Sequence, residues 1–202
     1  MKKILIIAAL TFFGMTQAQV TFKPGLRAGA NFSHFTKGDN YNSYYYDNNG
    51  NYVSTLNENN FNSKTDFYLG FYGALHLTKY YTLQPEIDYS RQGSVYKNSN
   101  GSKEQLDVSY LSFAIANKFT FSDKFNVHVG PTVDFVVNNN FNTANDVDFA
   151  FFLGAGYNFT KNFGIEARVK KGIVEVINNY NDDSYHTNVV FSVGATYTFD
   201  LK

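Results

Sequence analysis

From residue 22 to residue 199 the chain alternates between apolar and small or polar positions. In the last segment Val189, Phe191, Val193, Ala195, Tyr197 and Phe199 are apolar, and Ser192, Gly194, Thr196 and Thr198 fall between them. Successive side chains of a strand point to opposite faces, so a period of two marks strands with one apolar face. Around residue 70 the pattern repeats, with Phe67, Leu69, Phe71, Leu75 and Leu77 set against Tyr68, Gly70, Tyr72, Ala74 and His76. The same reading predicts strands at 22–34, 65–77, 82–93, 106–119, 125–137, 147–157, 163–176 and 187–199. Their apolar rows include Leu26/Ala28/Phe32, Leu83/Ile87/Tyr89, Leu111/Phe113/Ile115, Val127/Val129/Val133/Phe135, Phe149/Phe151/Leu153/Ala155 and Phe163/Ile165/Val169. No segment carries a helical period, and eight is an even count of strands.

The connections alternate too. Those at 78–81, 120–124 and 158–162 are short, whereas 35–64, 94–105, 138–146 and 177–186 are longer and rich in Asn, Ser, Asp and Gly. Short turns at one end and long loops at the other suit an antiparallel barrel crossing an outer membrane. The segment YNSYYYDNNGNYVSTLNENNFN, Tyr41 to Asn62, is expected to be the first and longest outward loop.

A soluble barrel or sandwich with its apolar rows inward is the alternative. The second face decides between them. It carries Gly29, Gly70, Ala74, Ala114, Ala116, Gly130, Gly154, Gly156, Gly164 and Gly194. Glycine weakens a solvent-facing strand and packs nothing there, but a narrow lumen needs small residues. Aromatic residues gather at segment ends, among them Phe32, Tyr80, Tyr81, Phe119, Phe121, Phe125, Tyr157, Phe159 and Phe163, as expected of rings at the two bilayer interfaces. The expected fold is therefore an all-β, eight-stranded antiparallel up-and-down transmembrane β-barrel with its apolar rows facing lipid. Pro85 and Pro131 fall inside strands and each deletes a ladder hydrogen bond, so a rim position or bulge is expected at Pro85 and a bulge at Pro131.

Composition narrows the setting. Lys2 and Lys3, the apolar run Ile4–Phe13 and Thr16-Gln17-Ala18 read as a signal peptide over 1–18, with a barrel domain over 19–202. The leader has no cysteine to carry a lipid, and the whole chain has none, so no disulfide framework is available. Without Lys2 and Lys3 the 17 basic residues fall to 15 against 17 acidic ones, which leaves no basic footprint for nucleic acid. There are 21 Phe and 16 Tyr but no Trp.

Five stretches carry a family resemblance: GLRAGANFS, LQPEIDYSRQG, VHVGPTVDF, FFLGAGYNFTKNFGIEARV and the closing VGATYTF. Through them the mature chain resembles the PorT-like outer-membrane β-barrel domain family of Gram-negative envelopes. The resemblance implies a small porin-like barrel in the outer membrane, with prolines like Pro85 and Pro131 in its pattern. A founding member of that family is associated with protein secretion across the outer membrane. No catalytic residues are carried over.

Candidate chemistry is sparse. The inward positions hold Arg27, Glu86, Asp88, Lys118, Asp134, Glu166, Arg168 and Lys170. Eight strands leave an interior filled by side chains, and buried charges must be paired, so these residues are expected to neutralise one another rather than line a pore. Lys118 is the expected partner of Glu86 and Asp88, and Arg168 that of Glu166. His34 and His186 belong to strands that barrel closure makes neighbours, with Asp182 and Asp183 near. Two rim histidines in water are preferred over a zinc site, since no ligand spacing is fixed. His76 and His128 are expected to hydrogen-bond inside the lumen.

Ser33 beside His34 and Ser184 near His186 lack the context of a nucleophile, and no G-x-S-x-G occurs. Placing Gly50 sixth in an EF-hand loop puts Tyr45 first and Leu56 twelfth, so DNNGN fails as a calcium loop. No catalytic, cofactor or metal residue is therefore assigned. Tyr44, Tyr45, Tyr46 and Tyr52 among Asn, Ser and Gly have the composition of a recognition loop for a protein, a glycan or lipopolysaccharide. The expected role is structural or surface-binding without catalysis, with an accessory role in envelope biogenesis or protein secretion, or a soluble exported ligand-binding β-barrel, as the alternatives.

Overall fold

The computed structural model describes residues 20–36, 41–57, 61–97, 102–122, 124–177 and 186–200, with side chains omitted at 41–45 and 55–57. The leader expected over 1–18 lies outside the described residues. Ten strands are present: β1 (Thr21–Phe35), β2 (Tyr41–Tyr46), β3 (Tyr52–Asn57), β4 (Phe61–His76), β5 (Tyr81–Lys97), β6 (Lys103–Thr120), β7 (Phe125–Asn139), β8 (Val147–Asn158), β9 (Phe163–Gly172) and β10 (Asn188–Thr198). Eight of them close an antiparallel barrel in the order β1-β10-β9-β8-β7-β6-β5-β4, with β1 returning to β4. All eight predicted strands occur. The soluble alternative fails, because the apolar rows face outward: Phe71 is 66% exposed, and Leu69, Ile87, Ile115, Phe151, Leu153 and Val193 are exposed with it. These side chains have no protein to cover them, and a bilayer supplies the missing apolar phase.

Three connections at one end repeat a single device. In each, a hydroxyl caps the backbone of a tight turn: Thr78 Oγ1 accepts from the Tyr81 amide at 2.9 Å, Ser122 Oγ from Phe125 at 3.1 Å and Thr160 Oγ1 from Phe163 at 2.9 Å. Ser and Thr favour such turns because the side chain stands in for a backbone acceptor. Tyr80, Phe121 and Phe159 project from these turns, and Phe121 and Phe159 contact Phe125, Tyr157 and Phe163, which gives an aromatic ring at this rim. Both ends of the barrel chain lie here as well, so by the usual order of outer-membrane barrels this end is periplasmic.

The prolines open the wall without bulging it. The β4–β5 ladder is interrupted at Pro85, between Tyr72/Glu86 and Leu75/Leu83, and the β6–β7 ladder at Pro131, between Ala114/Thr132 and Asn117/Val129. In both places the two strands lose the same number of positions, so register is kept and the expected bulge is replaced by a gap. Proline brings no N–H to the ladder, and its outward placement on the lipid face lets the strands part. A shallow apolar groove of about 370 Å³ lies on the outer wall between the two prolines.

Strands extend further on the opposite side than the sequence predicts. The stretch expected to be a loop over 94–105 is largely ladder, pairing Gly93 with Asp107 through to Lys97 with Lys103. Gly93 (φ 145°) makes this extension feasible, since any Cβ there would strike the Leu106 carbonyl. A true bulge lies elsewhere, where β4 has one more residue than β5 between the pairs Ser63/Ser94 and Tyr68/Ser90. β9 ends at Gly172, short of the expected 176: the Ile173 amide still bonds the Phe149 carbonyl in register, but the next amide, Val174, goes to the Asp148 carboxylate instead of a strand carbonyl.

Candidate functional site

The lumen is filled at two levels. At mid-height Arg27 of β1 and Arg168 of β9 stand among three carboxylates from β5 and β9. Arg27 donates to Glu166 (Nε, 2.8 Å; Nη2, 2.5 Å), to Asp88 (2.5 Å) and to Glu86 (3.0 Å). Arg168 forks onto both oxygens of Glu86 at 2.6 and 2.8 Å and reaches Glu166 at 3.1 Å. The bidentate geometry is what a planar guanidinium provides and an ammonium does not. Each guanidinium also lies 4.7 Å from an aromatic ring, Arg27 over Tyr68 and Arg168 over Phe152. Gln84 donates to Glu86 and Tyr68 to Glu166. Nearby, Lys170 pairs with Asp134, which also accepts from Thr132.

The inward glycines make room for this network. A Cβ at Gly70 would collide with the Asp88 carboxylate, and the Tyr72 and Tyr68 rings cover Gly25, Gly29 and Gly194. The expectation that inward charges neutralise one another therefore holds. The expected partners of Glu86 and Asp88 do not: Arg27 and Arg168 take that place, and Lys118 sits closer to the periplasmic mouth without an ion pair among the described residues.

Above the network, at the long-loop end, the interior changes character. Phe35, Phe61, Val108, Tyr110 and Val176 form an apolar cluster, backed by Tyr96, Leu106, Val136, Phe141 and Ile177. Phe35 is 0% exposed and meets Phe61 at 5.7 Å and Phe141 at 5.9 Å, both edge to face. Residues outside the strands complete the plug, with the Ala144 amide bonded to the Val176 carbonyl and Val176 to His186. Between plug and network remains a void of about 40 Å³.

The histidines are sorted differently from expectation. His186 is not in water: it is fully buried, packs on Phe61 at 5.0 Å and bonds the Thr36 carbonyl through Nδ1 at 2.8 Å. His34 alternates with buried Ser33 and Phe35 and so stands on the other side of the wall. Asp182, Asp183 and Ser184 lie outside the described residues. His76 bonds Thr82 at 2.8 Å and His128 bonds Asn126 at 3.3 Å, both as expected. Ser33 exchanges two hydrogen bonds with the Gly93 backbone, at 2.8 and 2.9 Å, and so is used structurally.

The opening loop contains structure that its composition concealed. β2 and β3 pair with each other over Tyr41–Asn57 as a hairpin between β1 and β4. DNNGN is its turn: the Asp47 carboxylate accepts from the amides of Asn49 and Asn51 at 2.8 Å, and Gly50 takes φ 78°. Positive φ at the last turn residue is the glycine position of a type I turn with a bulge. The hydrogen bonds from the Asn51 backbone and side chain, then that of Asn49, hold the Asp47 carboxyl below its ordinary range. Tyr46 and Tyr52 face each other across this turn at 5.6 Å, 73% and 63% exposed. The side chains of Tyr44 and Tyr45 lie outside the described residues.

Barrel closure, outward apolar rows and one rim of short turns define an integral outer-membrane protein. The profile of the family described as "Outer membrane protein beta-barrel domain" matches residues 5–199, and the chain belongs to that family. Its fold is similar to that of Neisserial surface protein A, with 14% identity and a TM-score of 0.54 over 87% of this chain and 97% of that one. Similarity also extends to Ail, the attachment invasion locus protein of Yersinia pestis, with 13% identity and a TM-score of 0.47 over 88% and 98% of the two chains. For OprG of Pseudomonas aeruginosa the identity is 14% and the TM-score 0.47, over 92% and 99%. No curated protein matches the sequence.

Proposed function

We propose that this outer-membrane barrel is a non-enzymatic surface-binding protein of the PorT-like kind, whose recognition element is the β2–β3 hairpin. The observation that carries the reading is the exposed Tyr46/Tyr52 pair beside the turn of a hairpin that forms a two-stranded sheet of its own, separate from the barrel wall. Large rings with two rotatable bonds give contact area at low entropic cost, and the flanking Asn, Ser and Gly supply adaptable hydrogen bonds. The filled lumen supports the same reading, because a barrel blocked by the Arg27/Arg168 network and the Phe35 cluster offers its loops rather than a channel. Candidate partners are a protein, a glycan or lipopolysaccharide.

Deletion of residues 41–57, joined by a short Gly-Ser linker, tests this. Binding of purified barrel to immobilised lipopolysaccharide, a glycan array and envelope extracts should fall at least tenfold with the barrel's β-sheet circular-dichroism spectrum retained. If the deletion variant keeps every partner the intact chain binds, the hairpin is not the recognition element and an accessory role through the periplasmic rim takes its place.

A further inference from the structure

The periplasmic mouth opens into a cavity of about 450 Å³, walled by the lower ends of the strands, by Thr120 and Lys124, and by the turn at 158–162. Among the described residues its charged lining is of one sign. Lys23, Lys118, Lys124, Lys161 and His76 contribute to it, and the described lining residues include no carboxylate. At the rim Asp200 accepts from Lys23 at 2.7 Å and from Asn162 at 3.1 Å and also faces Lys161, so one carboxylate is set against four ammonium groups and pairs directly with Lys23. The remaining three have no ion pair or hydrogen bond from the side chain among the described residues. Lys118 is the telling one. It rises from β6 on the inward parity, opposite Thr82 and His128, and sits beneath the mouth beside Gln84 and Tyr72. The acids that could have neutralised it, Glu86 and Glu166, are already taken by Arg27 and Arg168.

We propose that this vestibule binds phosphate esters, with the Lys118 ammonium at its floor and Lys124 and Lys161 at its mouth. An ammonium is a compact point charge that suits a phosphate approached from one side. Hydroxyls of Thr82, Thr120 and Thr196 and the amide of Asn158 supply neutral donors around it. The volume lies in the range of small-molecule sites and well above that of bare phosphate, so a phosphorylated sugar fits better than the free ion. The same chemistry is offered by the headgroup of an anionic phospholipid of the inner leaflet, since the aromatic rim places the mouth at the interface.

The test uses the intact barrel in phosphatidylcholine nanodiscs with glucose 6-phosphate as probe, followed by calorimetry and 31P line broadening. Submillimolar binding is expected, at least tenfold tighter than inorganic phosphate, with glucose inert. Lys118→Met should weaken it at least tenfold, and Lys103→Met, at the far end of β6, should leave it unchanged. Should Lys118→Met fail to fold, Lys124→Met/Lys161→Met in the exposed turns should show at least a fivefold loss. Competition by phosphatidylglycerol in the disc would assign the site to headgroups, and its absence to soluble esters; both outcomes support phosphate recognition. Equal affinity for glucose and its phosphate, or equal binding by Lys118→Met and Lys103→Met, overturns the proposal.

Discussion

Two levels of one lumen, enclosed by the same strands, are built from opposite chemistries. At mid-height the inward positions of β5 and β9 are Glu86, Asp88, Glu166 and Arg168; nearer the long loops, those of β1 and β6 are Phe35, Val108 and Tyr110. The outward positions invert in step. Leu111, Phe113 and Ile115 face out beside the network, whereas Lys103, Glu104 and Gln105 are exposed at the outer end of β6. The lesson is that the solvent outside the wall sets what lies inside. Where hydrocarbon takes the apolar side chains, the interior is left with polar and ionic groups that must satisfy one another. Where the strands emerge into water, the ordinary rule returns and the apolar side chains turn in.

Five substitutions sharpen that contrast, four made singly and given in descending order of expected effect, and one added to the first. Arg168→Leu leaves Glu86 and Glu166 short of donors in a closed interior and should cost about 3–5 kcal/mol in reversible unfolding from liposomes. Adding Glu86→Leu should recover a substantial part of that loss, since a removed pair is far less harmful than a broken one; no recovery would mean the network is held by packing. Phe35→Ala in the plug should cost an amount near the lower part of the same range, about 3 kcal/mol, but with no rescue by any change of charge. Phe71→Arg on the lipid face should cost about 2–4 kcal/mol in bilayers, and a negligible loss would show that this face does not meet hydrocarbon. Gly50→Ala should cost only about 1 kcal/mol, confined to the hairpin and read as faster amide exchange in β2 and β3 with the barrel ladders unchanged.

Much of the barrel was legible because a period of two over ten or more residues has one physical meaning, and each of the eight strands carries it. The inward charges were legible for the same reason: Arg27, Glu86, Glu166 and Arg168 share the parity of the glycines. Their partners were not, because pairing across the lumen depends on height and register, which alternation leaves open; Glu86 meets Arg168 from β9 rather than Lys118 of the adjacent strand. The plug was hidden by a register change. The extra residue between Ser63 and Tyr68 turns β4 over, so Phe61 faces inward although its parity is that of the lipid-facing row. Val108 and Tyr110 did carry a signal, being apolar on the inward parity beside Ser112 and Ala114. The hairpin escaped because β2 and β3 lack an apolar alternation, though Asp47 and Gly50 mark its turn.

Glycine and alanine along the closing edge bear on how the ring forms. Every barrel ladder but one joins barrel strands that follow each other in chain order; only β1 with β10 unites the first and last of them. The three hydroxyl-capped turns make their hairpins inexpensive in loop entropy, whereas that last ladder must gather the whole chain, so it is the slow event of assembly. Its central register sets Ala28, Gly29 and Ala30 against Ala195, Gly194 and Val193, an edge with few bulky groups to interlock. From within, the Tyr68 ring lies over Gly29 and Gly194 on the two sides of this seam, and the Tyr72 ring over Gly25 reaches Thr198 of β10 at 2.7 Å, so two side chains of β4 tie the first and last strands together.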